Sequence, residues 1–449
     1  MTDRTDVLVL GGGMAGLAAA LRLAEAGRSV RLLEASERLG GVVKTLRQDG
    51  FVADVGPDVF LVRKPGAARL AAQLGVETAP ARGGALIQRR GRLYPLPSGL
   101  SGLVPGRLGP LLTTRALPLA ARLRAGAEPL VRRRAGDDDE SLQAFAIRRF
   151  GRGAWDGLIE PLLGGLYGAD AGPISLRATL PHLHTREREG PLLSWRAAAA
   201  SGAPGSPFQR PIRGMDALPD AVVSALQSLG VHLHTHTPVE SVAMDARGAA
   251  VQSGGDTFEA DALLVALPAP AAARALAPLG ADLASPLAAV PMGSAAVAIV
   301  GFESAGLDVP DVSGWLVPRR EGGPVQAVTL LSRKHPGTAP DGHDLARVFL
   351  RPEAAAASGD GALLSAAREH LRQRLGLRAD PMFTAVQRWQ AASPRYTLGH
   401  PERLAALDAA RARYPRLALA GAALRGVGLP DVIAGAEAAA DHLLDSLSR

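Results

Sequence analysis

The run VLVLGGGMAGLAAA, residues 7–20, constrains the fold more than any other stretch of the chain. Val7 to Leu10 is wholly apolar, the pattern of a strand buried on both faces of a parallel sheet. Gly11, Gly13 and Gly16 spell G-x-G-x-x-G, and the alanine-rich sequence from Ala18 to Ala26 continues as a helix that Gly27 stops. Glycines so spaced permit a tight turn, close backbone approach to a pyrophosphate, and packing of helix on strand. The start of the helix at Met14 and Ala15 offers backbone N–H groups and a positive dipole end to the phosphates. A second strand, SVRLLEA, carries Glu34, eighteen residues beyond Gly16, followed by Ala35. A carboxylate there accepts both ribose hydroxyl protons and repels a 2′-phosphate, which disfavours NADP. Strand, glycines, helix, strand and acid in this order distinguish a dinucleotide site from an ordinary glycine-rich turn.

Arg38 follows Glu34 by four residues, and Gly40-Gly41 come next. Arg38 is placed to face phosphates, and the glycine pair lets backbone pass close to a ligand. With 449 residues there is chain enough for two or three domains. The net charge of +7 raises nucleic acid as a partner. Yet Lys44, Lys64 and Lys334 are the only lysines, the other basic residues being arginine, and no lysine-rich tail or aromatic RNA-binding box accompanies them, so nucleic acid is not expected. The absence of cysteine removes disulfides, thiolate metal sites, a cysteine nucleophile and cysteinyl attachment of a cofactor. The polar start MTDRTD lacks the pattern of a signal peptide, so a cytoplasmic location is expected. The most apolar region, 262–301, is broken by Pro268, Pro270, Arg274, Pro278, Asp282, Pro286 and Pro291, and no membrane-spanning helix is expected.

The rest divides coarsely. FVADVGPDVF reads as a strand entering a turn at Gly56-Pro57, and residues 91–205 read as mostly helical. GMDALPDAVVSALQSLG is a helix followed by the strand-like VHLHTHTPVESVAMD, and residues 284–400 carry alternating strand signals. The end of the chain returns to strand, glycine turn and helix in RLALAGAALRGVGLPDVIAGAEAAADHLL. The expected fold class is α/β: a Rossmann-like, doubly wound dinucleotide domain built from 1–84, 211–283 and 406–449, interleaved with a helical insertion at 85–210 and a mixed-sheet substrate domain at 284–405. His232, His234 and His236 alternate along a strand, and same-face neighbours about 7 Å apart with no acid cluster do not make a metal site.

Glu34 followed by R-x-G-G at Arg38 to Gly41 resembles the FAD-containing amine oxidase and porphyrinogen oxidase superfamily, which favours FAD over NAD. A narrower resemblance, to the FAD-dependent porphyrinogen oxidases of haem biosynthesis, rests on GPDVF at 56–60, GGLYGADAGPISLRATLP at 164–181, RWQAASPRYTLGH at 388–400 and AGAALRGVGLPD at 420–431, and it covers essentially the whole chain in order. It implies FAD, held without a covalent bond, against Gly56, Pro57, Trp389, Gly421, Val427, Gly428 and Leu429, with the backbone of Val239 at the adenine. It also implies oxidation of a porphyrinogen in repeated two-electron steps, hydride passing to the flavin and molecular oxygen becoming hydrogen peroxide, with no catalytic side-chain triad. Gly168, Ala169 and Leu331 fall where relatives meet the macrocycle, although relatives usually read alanine and then glycine at the first two. Many plant and animal members have a propionate-binding arginine where Ala85 stands; Arg82, Arg89, Arg90 and Arg92 are the neighbouring candidates, and their number leans towards the four carboxylates of coproporphyrinogen III over the two of protoporphyrinogen IX. Residues 106–134 place leucines on one helical side and arginines on another, as in helices that lie on the inner face of a cell membrane and as in ordinary packed helices. A homodimer stays open. So do a flavin amine oxidase, a carotenoid desaturase, and a flavin-binding scaffold without turnover.

Overall fold

Residues 7–10 are fully buried because the first strand, β1 (Thr5–Leu10), lies inside a sheet covered on both faces. It pairs in parallel with β2 (Val30–Leu33) on one side and with strand Asp256–Val265 on the other. The computed structural model describes residues 4–101, 104–134, 136, 138–167, 172–194, 206–245 and 247–448. Strand His232–His234 extends the sheet beyond β2; Gly248–Ser253 and Ser241–Asp245 add antiparallel strands beyond Asp256–Val265, whose other half pairs in parallel with Leu417–Leu419.

Alternation along β1 assigns its side chains to two cores. Val7 and Val9 pack with Leu17, Leu21, Leu218, Val222, Ile433 and Leu443, under helix α1 (Met14–Glu25), helix Ala217–Ser228 and the C-terminal helix Leu429–Leu447. Leu8 and Leu10 pack with Leu276, Leu283 and Leu407 on the opposite face. Each fully buried leucine contributes about 1.5–3 kcal/mol by leaving water. Ala19, Ala20, Ala436 and Ala440 let α1 and the C-terminal helix approach closely, which brings the starts of both helices to the same edge of the sheet.

The second sheet runs in the order Phe383–Pro394, Met292–Glu303, His343–Leu350, Val325–Leu330, Gly314–Leu316, Leu86–Arg89, Arg92–Pro95. All pairings are antiparallel except that between Gly314–Leu316 and Leu86–Arg89. The hairpin at 86–95 thus belongs to the mixed sheet, although it falls in the stretch read from sequence as helical insertion; each of its strands is four residues long and carries arginine, too little for an alternating pattern to register. The insertion itself packs helices Leu108–Thr113, Leu119–Gly126, Leu142–Phe150, Glu160–Tyr167 and Pro181–Glu189 around Leu111, Leu117, Phe145, Phe150, Trp155 and Leu158. Pro118 and Pro129 divide the arginine-studded segment into two short helices and a 3-10 turn at Glu128–Leu130. The strand-like run from His232 to Asp245 also divides, because His236 adopts a φ of 53° ahead of Thr237-Pro238.

Candidate cofactor and active site

The turn after β1 forms a cradle of backbone. Gly11 N–H donates to Leu33 O at 2.8 Å, and Gly40 N–H donates to Gly12 O at 2.8 Å, which lays the Gly40-Gly41 loop across the G-x-G-x-x-G turn. A methyl group at Gly16 would overlap the carbonyl oxygen of Gly11, so only glycine fits there. Gly13 is the opposite case, since a Cβ there has no atom of the described residues within 4 Å. Gly13 also caps α1, and no side chain closes the helix start, so the amides of Met14, Ala15 and Gly16 face that opening. A closed turn below and an open, donor-lined face above are what a pyrophosphate requires.

Glu34 stands at the end of β2 beside this cradle. Its Oε2 accepts from Gly12 N–H at 2.6 Å, and its Oε1 accepts from Ser36 N–H at 2.8 Å and Ser36 Oγ at 2.7 Å. Its own backbone is tied on both sides, N–H to His234 O at 2.8 Å and C=O to Thr237 N–H at 2.8 Å, which carries Ala35 and the loop holding Val239 to the same edge. Arg38 Nη1 and Nη2 donate to Gly41 O and Val43 O, both at 2.6 Å, so the guanidinium shapes the loop that closes the cradle.

Further along the edge, the Gly56-Pro57 turn is held from below. Arg347 Nη1 donates to Asp54 O and Gly56 O, both at 2.8 Å, and Arg347 Nη2 stands 3.0 Å from Asp58 Oδ1. Asp58 also takes Lys334 Nζ at 2.7 Å and lies 3.4 Å from His335 Nε2. Burial disfavours the ionised carboxyl, but the neighbouring Arg347 and Lys334 outweigh it and hold Asp58 well below the usual carboxylate range. Burial pushes the His335 imidazole down, against the pull of Asp58. Trp389 Nε1 donates to Val55 O at 2.9 Å, and its ring joins Leu331, Phe51 and Val55 in one apolar cluster beneath the same turn. Gly56, Pro57, Trp389 and Leu331 are legible in the sequence but the charged hub is not; its signal there is the aspartate in GPDVF, because its partners lie far along the chain.

The C-terminal helix begins at Gly428 with no side-chain cap, and Asp431 in its first turn pairs with Lys64 at 2.7 Å. Gly421 has a φ of 122° with open space where a Cβ would stand. Val427 packs on the helical insertion and Leu429 on the core under α1, so this loop is wedged between the two units.

The arginines before and within the hairpin differ in exposure and in what they contact. Arg82 is exposed, its N–H donating to Lys334 O at 2.9 Å beside the hub. Arg89 donates to Arg115 O at 2.9 Å and Leu117 O at 3.3 Å, bracing the insertion. Arg90 and Arg92 sit exposed at the hairpin turn, where Glu321 accepts from the N–H groups of Arg90 and Gly91. Gly168 and Ala169 lie outside the described residues. Among the described residues no group of histidine and acidic side chains is arranged to hold a metal ion, and no helix is long and apolar enough to cross a membrane.

Residues 14–444 match the family model of flavin containing amine oxidoreductases. The chain is 35% identical to coproporphyrinogen III oxidase of Propionibacterium freudenreichii, over 98% of this chain and 91% of that one. It is 30% identical to human protoporphyrinogen oxidase, over 98% of both. Among solved structures, an Exiguobacterium protein assigned to the protoporphyrinogen oxidases superposes with a TM-score of 0.86 at 27% identity, over 100% of both chains. Cyclohexylamine oxidase of Brevibacterium oxydans, at 19% identity and a TM-score of 0.71, shares the fold. With the family model spanning nearly the whole chain and relatives at 30% identity or more aligned along almost its full length, the chain belongs to the flavin containing amine oxidoreductase family and is an oxidoreductase.

Proposed function

We propose that this chain binds FAD without a covalent bond and oxidises a porphyrinogen, coproporphyrinogen III in preference to protoporphyrinogen IX, to the porphyrin in haem biosynthesis. The observation that carries this reading is full-length similarity to enzymes named for that reaction, joined to a cradle whose open face suits a dinucleotide. The amides of Met14 to Gly16 would hold the pyrophosphate, Glu34 the ribose, the Val239 backbone the adenine, and Gly56, Trp389, Gly421 and Val427 to Leu429 the flavin side. No cysteine is present to attach the cofactor. Bound FAD supplies a two-electron acceptor, so that a bridging carbon of the macrocycle loses hydride, a pyrrole nitrogen loses a proton, and molecular oxygen carries the electron pair away as hydrogen peroxide.

The protein's task is then placement and exclusion of water. The start of the C-terminal helix presents a positive dipole end towards negative charge on the ring system. The Asp58 hub fixes the Gly56-Pro57 turn against the substrate sheet, and Leu331 with Trp389 keeps the adjoining wall apolar. Arg82, beside that hub, is the best placed of the four arginines to meet a propionate, with Arg89 already engaged by two carbonyls. Peripheral contact with a membrane is supported by Leu119, Leu123 and Leu130, which are 60%, 59% and 87% exposed on the arginine-rich insertion.

The test is kcat/KM for both porphyrinogens, by porphyrin fluorescence, in the wild type and in Arg82→Ala and Arg92→Ala. Activity on coproporphyrinogen III that falls in Arg82→Ala supports the reading. A wild type active only on protoporphyrinogen IX refutes the preference, and a wild type inactive on both refutes the reaction.

A further inference from the structure

Two sequence stretches that resemble family motifs, RYTLGH at 395–400 and the glycine-rich loop at 420–428, meet in space, and their contacts carry a role that neither reveals alone. Tyr396 is 4% exposed and His400 1% exposed. Tyr396 Oη donates to Ala422 O at 2.5 Å and accepts from Gly426 N–H at 2.7 Å, so one hydroxyl ties both ends of a five-residue loop segment. His400 Nε2 lies 2.9 Å from Leu424 O, midway between those two points. A carbonyl can only accept, so Nε2 carries the proton. The other ring nitrogen, Nδ1, is buried and has no hydrogen-bond partner among the described residues, as suits a neutral imidazole, and burial lowers the histidine's pKa to the same effect. The two rings stack at 4.0 Å with planes 10° apart, so each side chain fixes the other.

The loop is bent at both ends: Gly421 and Gly426 bracket it with φ values of 122° and 137°, and Leu424 N–H donates to Gly421 O at 3.2 Å inside it. It leads directly into Gly428, the uncapped start of the C-terminal helix. Tyr396 is anchored from the other side as well, its carbonyl accepting from Ser175 N–H at 2.7 Å and Thr397 bridging to Ile174.

We infer that Tyr396 and His400 are positioning residues that hold the Gly421–Gly426 loop in the shape that presents the start of the C-terminal helix to the flavin. The inference rests on the reading that FAD binds along this edge. The brace touches the loop from behind and acts through it.

The experiment compares Tyr396→Phe and His400→Phe with wild type. Each keeps an aromatic ring in the stack and removes the contacts to the loop. Removing the hydroxyl's two bonds should raise the FAD Kd roughly tenfold, the equivalent of about 1.4 kcal/mol. It should also shift the flavin absorption band and midpoint potential, which a purely structural residue would leave in place. Hydrogen exchange at Gly426 N–H, read on wild type stripped of FAD, gives an answer that does not depend on a variant folding: slow exchange is expected. Variants that lose thermal stability but keep wild-type Kd, spectrum and potential overturn the inference, as does rapid exchange at Gly426. A wild type that takes up no FAD at all marks failure of the cofactor reading itself.

Discussion

Gly13→Ala separates binding from folding in a way few substitutions here can. Gly13 has φ −71° and ψ 175°, an extended backbone open to any residue, and its added methyl meets no atom of the described residues within 4 Å. Where the native conformation is already compatible, replacing glycine by alanine stabilises by about 0.4–1 kcal/mol through the unfolded chain. The FAD-free variant should therefore unfold at the same urea concentration as wild type or slightly higher. The methyl nevertheless occupies the space over the amides of Met14 to Gly16, where the pyrophosphate must approach. Forcing the phosphates away from a charge-assisted hydrogen bond costs about 1.5–3 kcal/mol, a rise in FAD Kd of roughly 10- to 150-fold. Gly16→Ala is the contrasting variant, because its methyl collides with the backbone oxygen of Gly11. Overpacking of that kind costs about 1–3 kcal/mol or more and should lower stability and FAD affinity together. Urea unfolding of the stripped proteins and titration by flavin fluorescence read the two quantities separately. A Gly13→Ala protein with wild-type FAD affinity, or one as unstable as Gly16→Ala, would refute the assignment of this opening to the pyrophosphate.

Glu34→Ala should raise the FAD Kd by roughly 10- to 150-fold, since the ribose loses a charged acceptor; an unchanged Kd in the same titration would reduce Glu34 to a local tie for Gly12 and Ser36. Asp58→Asn should destabilise the protein at neutral pH by about 3–5 kcal/mol, by leaving Lys334 and Arg347 without their buried counter-charge. Because the folded pKa of Asp58 is depressed, its ionic contribution is present above the unfolded value near pH 3.9 and is lost as pH falls through the folded value. The stability gap between wild type and variant in urea melts should thus narrow in acid, and a gap constant down to pH 2 would exclude the hub. Changing Leu119, Leu123 and Leu130 together to serine should weaken binding to vesicles of anionic lipid by about tenfold or more at unchanged Tm, from lost apolar burial; equal partitioning in a flotation assay would remove the insertion from the membrane surface.

The elements legible in the sequence are those whose signal is local. β1, the glycine turn, α1 and β2 fall within thirty residues, and each glycine's job follows from the turn it occupies. Long-range partners were illegible for a physical reason: Asp58 meets Lys334 across 276 residues, and Tyr396 meets Gly426 across 30. The resemblance marked both segments without showing that they touch. Arg38 was legible as a charge beside the glycine turn, but its bonds to the carbonyls of Gly41 and Val43 were not, because backbone acceptors leave no mark in the sequence. In the hairpin at 86–95, the arginines hid strands whose place in the sheet comes from pairing with Gly314–Leu316, more than two hundred residues away.

The most direct test of the central claim is an anaerobic titration of the purified yellow protein with coproporphyrinogen III, followed by admission of air. The account predicts bleaching of the flavin band as substrate is added, porphyrin fluorescence growing in step, and return of the yellow colour with hydrogen peroxide once oxygen enters. A flavin band that stays oxidised under excess porphyrinogen, while an amine or a carotenoid precursor bleaches it, would contradict the account.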